Sequence, residues 1–165
     1  MRACLALLLL LAGAPALADP PVLPDPGETP VWVTYAHPQP AFSLAIPASH
    51  FYAQPVPPAG DGAIFTALDG AAEIRAWAAY NVLDQDLAAL LREALEQHGG
   101  DEVTYRRQGS GWFVLSGYSG EAIFYEKALL DEAAVYHLAV RYPVAQRDLY
   151  DPLLGNLAAS FRPGG

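Results

Sequence analysis

The sequence predicts an α+β domain built on a single antiparallel sheet flanked by two main helices, an α/β/α sandwich. Three observations carry this. Short runs with strand-like alternation are joined by tight-turn residues, so neighbouring strands run antiparallel. Two stretches, 84–98 and 150–161, switch to the apolar spacing of a helix. The last strand, 133–142, hardly alternates, as a strand covered on both faces does. The order is strands, helix, four strands, helix, with hairpin-like connections between close neighbours.

The N-terminus bounds the domain. Arg2, the apolar run Leu5 to Leu11 and the small-residue pattern Ala16-Leu17-Ala18 make residues 1–18 a signal peptide, cleaved before Asp19. Gly13 and Pro15 break the apolar run short of the roughly 20 residues that a membrane helix needs. The single cysteine, Cys4, leaves with that peptide, so disulfides, thiolate metal sites and cysteine nucleophiles are not expected in the mature chain. Export without disulfides points to a periplasmic or secreted bacterial protein. The formal charge is −9, with 9 Lys+Arg against 18 Asp+Glu, and no basic run exceeds Arg106-Arg107. Nucleic acid, which needs a basic patch to replace condensed counterions, is therefore not an expected partner. Nor is a membrane surface once the signal peptide is gone.

Residues 19–30 are too proline-rich to pair in a sheet and form an extended leader. Residues 31–162 then form one domain. Val31 to Ala36 and Phe42 to Ile46 are its first strands, and Pro47 ends the second. Residues 47–62, with Pro55, Pro57, Pro58 and Gly60-Asp61-Gly62, read as a long surface loop. Ala63 to Asp69 and Ala72 to Tyr80 flank Asp69-Gly70, a hairpin signal. Asp84 is placed to cap a helix whose apolar stripe is Leu87, Leu90, Leu91, Ala94, Leu95 and His98, with Gly99 ending it. Strands follow over 102–108 and 111–143, with turns at Gly109-Ser110-Gly111, Ser119-Gly120 and Asp131-Glu132. Pro152 leaves two starts for the last helix: Asp151 as its cap, or an earlier turn from Ala145 kinked at the proline.

Several short motifs occur together along this order: Ile46-Pro47, Gly60-Asp61-Gly62, Gly111-Trp112, Phe124-Tyr125-Glu126-Lys127, Arg141-Tyr142-Pro143, Tyr150-Asp151-Pro152 and Ser160-Phe161. With them the chain, from about Trp32 to Phe161, resembles small exported bacterial proteins of the PsbP-like fold group. That group also includes an extrinsic subunit of photosystem II and a Ran-binding nuclear-import factor. The resemblance implies an α/β/α sandwich around an antiparallel sheet and no catalytic residues, since the group consists largely of binding and assembly modules. Fold-level kinship carries the architecture and not the function.

No motif identifies a reaction. Gly117-Tyr118-Ser119-Gly120 lacks the second glycine of a nucleophile elbow, having Glu121 there, and a strand rather than a helix follows. His37, His50, His98 and His137 show no metal-ligand spacing, so neither a metal site nor a cofactor is expected. His98, in the last helical turn, is explained by the helix dipole. Trp32, Trp77 and Trp112 sit on strands, where aromatic residues are usually core.

The sharper expectation comes from strand register. A hairpin centred on Asp131-Glu132 sets Glu126 opposite His137, and the preceding turns add Phe113 and Arg107 to one row, Arg107–Phe113–Glu126–His137. Tyr105 and Arg141 lie near it, and Ala122, Ala128 and Ala139 leave room for a groove. Glu126, His137, Arg107, Tyr105 and Arg141 are thus the candidate binding residues. A Glu beside a His is an acid/base or pH-sensitive pair in one reading, and a cross-strand charge pair of about 0.2 to 1 kcal/mol in the preferred one. The expected function is an exported binding or assembly-accessory module that holds a protein partner or small ligand through a sheet face or the loop 47–62. A small hydrolase using His137 and Glu126 is the alternative, and a structural envelope protein a third.

Overall fold

The computed structural model describes residues 23–25 and 27–164. The expected signal peptide and the first residues of the leader, 19–22, lie outside the described residues. Among the described residues, no helix is long and apolar enough to cross a membrane.

The domain is β-rich, 48% strand against 20% helix, and carries two sheets rather than one. β1 (Trp32–Pro38) and β2 (Ala41–Pro47) form an antiparallel hairpin, and the C-terminal β10 (Arg162–Pro163) pairs with the other edge of β2. The remaining strands make a seven-stranded antiparallel sheet. These are β3 (Phe51–Ala53), β4 (Gly62–Ala67), β5 (Glu73–Tyr80), β6 (Glu102–Gly109), β7 (Trp112–Ser119), β8 (Ala122–Leu130) and β9 (Ala134–Pro143), in the order β3-β4-β5-β9-β8-β7-β6. The expected single-sheet α/β/α sandwich is therefore wrong. Periodicity identifies β1 and β2 as strands, but a local hairpin pairs the same way whether it extends a sheet or lies over one. Here Phe42, Leu44 and Ile46 of β2 join the buried core with Ile74, Leu138 and Val140 of the large sheet, so the hairpin covers a face.

Two cores result. The larger lies between the big sheet and a layer made of the small sheet and α2 (Arg147–Ser160), with Tyr142, Tyr150, Leu157 and Phe161 almost fully buried. The smaller lies on the opposite face, under α1 (Leu87–Gln97), where Leu90, Leu91 and Ala94 pack on Phe113, Leu115, Phe124, Ala128 and Val135. β9 runs between the two layers, which is why it hardly alternates.

Helix ends and turns also correct the sequence. The cap of α1 is Asp86, whose Oδ1 accepts from the Ala89 N–H at 2.7 Å, whereas Asp84 stands in the left-handed region at φ 49°. α2 follows a 3-10 turn at Val144–Gln146, so the earlier of the two starts holds and Pro152 lies inside the helix. Asp151 is not a cap: it accepts from the Tyr142 hydroxyl at 2.5 Å and from Arg147 at 3.0 Å. The 47–62 segment is not loop throughout, since Phe51–Ala53 pairs with β4. At Asp69-Gly70 the hairpin forms as expected, with Gly70 at φ 74°, where a side chain would be strained. Gly117 answers a different demand: a Cβ there would run into the Glu102 carbonyl of β6, so only glycine lets β6 close on β7.

Candidate functional site

The three turns that set register differ from expectation, and their parity decides which candidate residues meet. The β8–β9 connection spans Asp131 to Ala133 and the β7–β8 turn lies at Gly120-Glu121, so both registers move by two residues. Glu126 then pairs with Ala139, and His137 with Ala128. A two-residue shift preserves the face, so Glu126 and His137 still share one and meet diagonally, Oε1 to Nδ1 at 3.8 Å. The β6–β7 turn is two residues, Ser110-Gly111, rather than three, and this odd shift pairs Arg107 with Val114. Arg107 and Tyr105 therefore sit on the opposite face, and the expected row Arg107–Phe113–Glu126–His137 does not exist.

What joins Glu126 and His137 instead is His98, the residue that follows α1. Its Nε2 lies 3.0 Å from Glu126 Oε2 and its Nδ1 2.8 Å from Asp101 Oδ2, while the ring stacks on Phe124 at 4.0 Å between centroids. Carboxylates only accept hydrogen bonds, so each contact needs an N–H on the ring, and a ring carrying both protons satisfies both acceptors at once. The dipole explanation for His98 is thus incomplete. The signal was in the sequence, because His98 continues the stripe of Leu87, Leu91 and Ala94 that faces the sheet.

Burial alone pushes the Glu126 carboxyl up, but the facing His137 and His98 rings outweigh it, and the net shift is downward. The Asp101 carboxyl is likewise held low, first by its hydrogen bond with His98. At 3.8 Å the Glu126–His137 contact is beyond hydrogen-bond length. His137 Nδ1 is accordingly buried without a hydrogen-bond partner. The His137 ring stacks on Trp77, its register partner on β5, with centroids 4.7 Å apart and planes 6° from parallel.

α1 roofs only part of this face. Between α1, from Leu90 to Gln97, and β5 opens a cleft of about 270 Å³ whose lining includes Trp77, Leu90, Glu93, Glu126, Val135 and His137. Its lip is the β5–α1 connection, where Tyr80, Val82 and Leu83 are 55%, 85% and 77% exposed. That connection is tied in place rather than loose. Asn81 donates to the Gln85 carbonyl and accepts from the Gln85 N–H, both at 2.9 Å, and its own N–H donates to the Ala133 carbonyl at 2.9 Å.

The other expected residues fall elsewhere. Arg141 shares the Glu126 face but stands exposed beside a larger, open groove of about 960 Å³ walled by turns, where it donates to the Ser119 carbonyl at 3.4 Å. That groove is the larger of the two, yet its walls are mostly small side chains and backbone, and the His98–Glu126–His137 cluster lies outside it. Tyr105 and Arg107 line a third groove of about 310 Å³ with Trp112, Tyr125 and Lys127, on the α2 side of the sheet. Lys127 donates to the Ala158 carbonyl at 2.6 Å, and burial pushes its ammonium down. Trp32, Trp77 and Trp112 are each half-buried. Among the described residues, no group of three or more His, Cys, Asp or Glu side chains is placed to hold a metal ion.

This architecture is PsbP-like. The solution structure of cyanobacterial PsbP (CyanoP) from Synechocystis sp. PCC 6803 superimposes on it with a TM-score of 0.59, over 86% of this chain and 98% of that one. It is one of 11 solved chains that match. The two sequences are 15% identical, so the likeness is one of fold alone. No protein-family model and no curated protein matches the chain.

Proposed function

We propose that the chain is an exported accessory module that binds a partner, and that the cleft above Glu126 and His137, with its lip, is the contact surface. One observation carries this reading: Val82 and Leu83, two consecutive large apolar residues, are held out to water by the Asn81–Gln85 clamp at the mouth of a cleft. Fixing them in place lowers the ordering cost of association, which is how a preformed contact gains affinity.

Catalysis has less behind it. The cleft supplies an imidazole in His137, but among the described residues its lining holds no Ser, Thr or Cys to serve as nucleophile. Its volume also falls just under the roughly 300 to 1,000 Å³ of small-molecule sites.

Site-specific photocrosslinking in the periplasm of the native host tests the proposal. A crosslinker at Leu83 is expected to give a discrete heavier adduct on a mature chain beginning at Asp19. The same crosslinker at Val56, in the proline-rich segment, or at Tyr105, on the opposite face, is expected to give none. Adducts from position 56 or 105 with none from 83 would move the contact surface elsewhere.

A further inference from the structure

We propose that the cleft receives the cationic side chain of a lysine or arginine from the partner protein, with Val82 and Leu83 packing on apolar residues that flank it. This inference rests on the reading of the cleft as the contact surface.

Size argues for a side chain. At about 270 Å³ the cleft is smaller than the sites that enclose a whole drug-sized ligand, yet it has room for one long side chain. The exposed lip beside it, Tyr80, Val82 and Leu83, fits a partner whose surface continues beyond the inserted residue.

Charge argues for a cation. Glu126 and Glu93 both line the cleft and, among the described residues, no Lys or Arg does, the His137 ring being the one basic group on the lining. Glu126 is nine-tenths buried and uses Oε2 for His98, while Oε1 lies 3.8 Å from the His137 nitrogen, too far for a hydrogen bond. Oε1 thus has room for a donor arriving through the cleft that Glu126 lines, and an ammonium or guanidinium supplies one with charge assistance. The carboxyl is held in its ionised form near neutrality, consistent with that role.

The walls suit the same occupant. The indole of Trp77, stacked on His137, borders the cleft, and Val135 and Leu90 accept the methylene stem. Outside, Asp84 and Asp86 follow the lip and Asp131 and Glu132 occupy the turn tied to it through Ala133. An acidic rim around an apolar knob favours a basic partner surface and repels an acidic one.

The test uses the mature chain at pH 7.5, observed through the Trp77 indole and the Val135 and Gln97 amides by NMR. The probes are the capped tripeptides Leu-Lys-Leu, Leu-Arg-Leu and Leu-Glu-Leu, together with n-butylamine. Saturable shifts at these positions are expected with the Lys and Arg peptides and not with the Glu peptide. Affinity should fall about tenfold in Glu126→Gln and by a smaller factor in Glu93→Gln, an exposed site whose change leaves the fold intact. Saturable binding of the Glu peptide at the cleft would overturn the cation assignment while leaving the contact surface standing. Binding of butylamine without either cationic peptide would assign the cleft to free amines and overturn the side-chain assignment. Silence from every probe would overturn the inference, and the crosslink at position 83 would then judge the contact surface separately.

Discussion

Phe113→Ala is expected to destabilise the domain by about 3 to 5 kcal/mol, with a fall in Tm of roughly 10 °C. Phe113 has no exposed surface and stands at the centre of the small core beneath α1, among Leu90, Leu91, Ala94 and Leu115. That core and the His98–Glu126 hydrogen bond hold an 11-residue helix to the sheet, and an isolated helix of this length is marginal in water. Truncation leaves a cavity that only α1 can collapse into, and such a shift draws His98 away from Glu126. Hydrogen exchange at Leu91, Ala94 and His98 is therefore expected to accelerate more than exchange in β5 or β9. Tyr105→Ala, at a half-exposed position on the edge strand β6, is expected to cost less than about 1 kcal/mol by the same thermal measurement. Equal losses for the two variants would mean that α1 is not anchored through Phe113.

The second large effect is electrostatic and has a definite sign. Glu126 and Asp101 both have carboxyls held below their ordinary values of 4.5 and 3.8, Glu126 because the His137 and His98 rings outweigh the cost of its burial, Asp101 chiefly through His98. A depressed carboxyl contributes stability that is fully present above its unfolded value and is lost as pH falls through its folded one. Wild-type protein is therefore expected to weaken as pH drops below about 4.5, in part by losing the tie between His98 and Glu126. Glu126→Gln is expected to cost about 1.5 to 3 kcal/mol at pH 7, the range for hydrogen bonds to charged groups. The gap between variant and wild type should then narrow as pH falls towards 3. Urea unfolding across that range measures it, and a gap that stays constant with pH would show that the Glu126 charge contributes nothing.

The candidate site was partly legible in the sequence, and turn length explains which part. Strand periodicity places Glu126 and His137 on one face provided the β8–β9 connection keeps its parity. The connection does so, shifting the register by two residues, and the pair survives as a diagonal contact. Arg107 depended on the β6–β7 turn, where a change of a single residue sends the β6 side chains from Tyr105 onward to the other face, until a bulge between Val103 and Tyr105 resets the register. Local sequence did not separate the two cases, because Gly109-Ser110-Gly111 suits a two-residue turn as well as a three-residue one.

Long-range placement was harder to read. The helical stripe of α1 includes His98, but which sheet residue lies beneath it depends on how far the helix sits along β7 and β8. Nothing in the spacing of α1 says that Glu126 waits there. The same limit produced the error in architecture. The alternation of Phe42, Leu44 and Ile46 marks a half-buried strand, and only the tertiary core with Ile74, Leu138 and Val140 shows that the β1–β2 hairpin lies across the large sheet. Trp77 went unassigned for a similar reason. Its role at the cleft comes from pairing with His137 across β5 and β9, strands separated by α1 and three further strands.

The most direct measurement is an unbiased one: NMR shift mapping of a fragment set containing acidic, basic and neutral members on the wild-type chain expressed from Asp19. Shifts are predicted to cluster at Trp77, Asn81, Glu93, Gln97 and Val135, around the cleft and its lip. Clustering instead around Trp112 and Tyr125 on the opposite face, or along residues 47–62, would contradict the placement of the contact surface at the Glu126–His137 cleft.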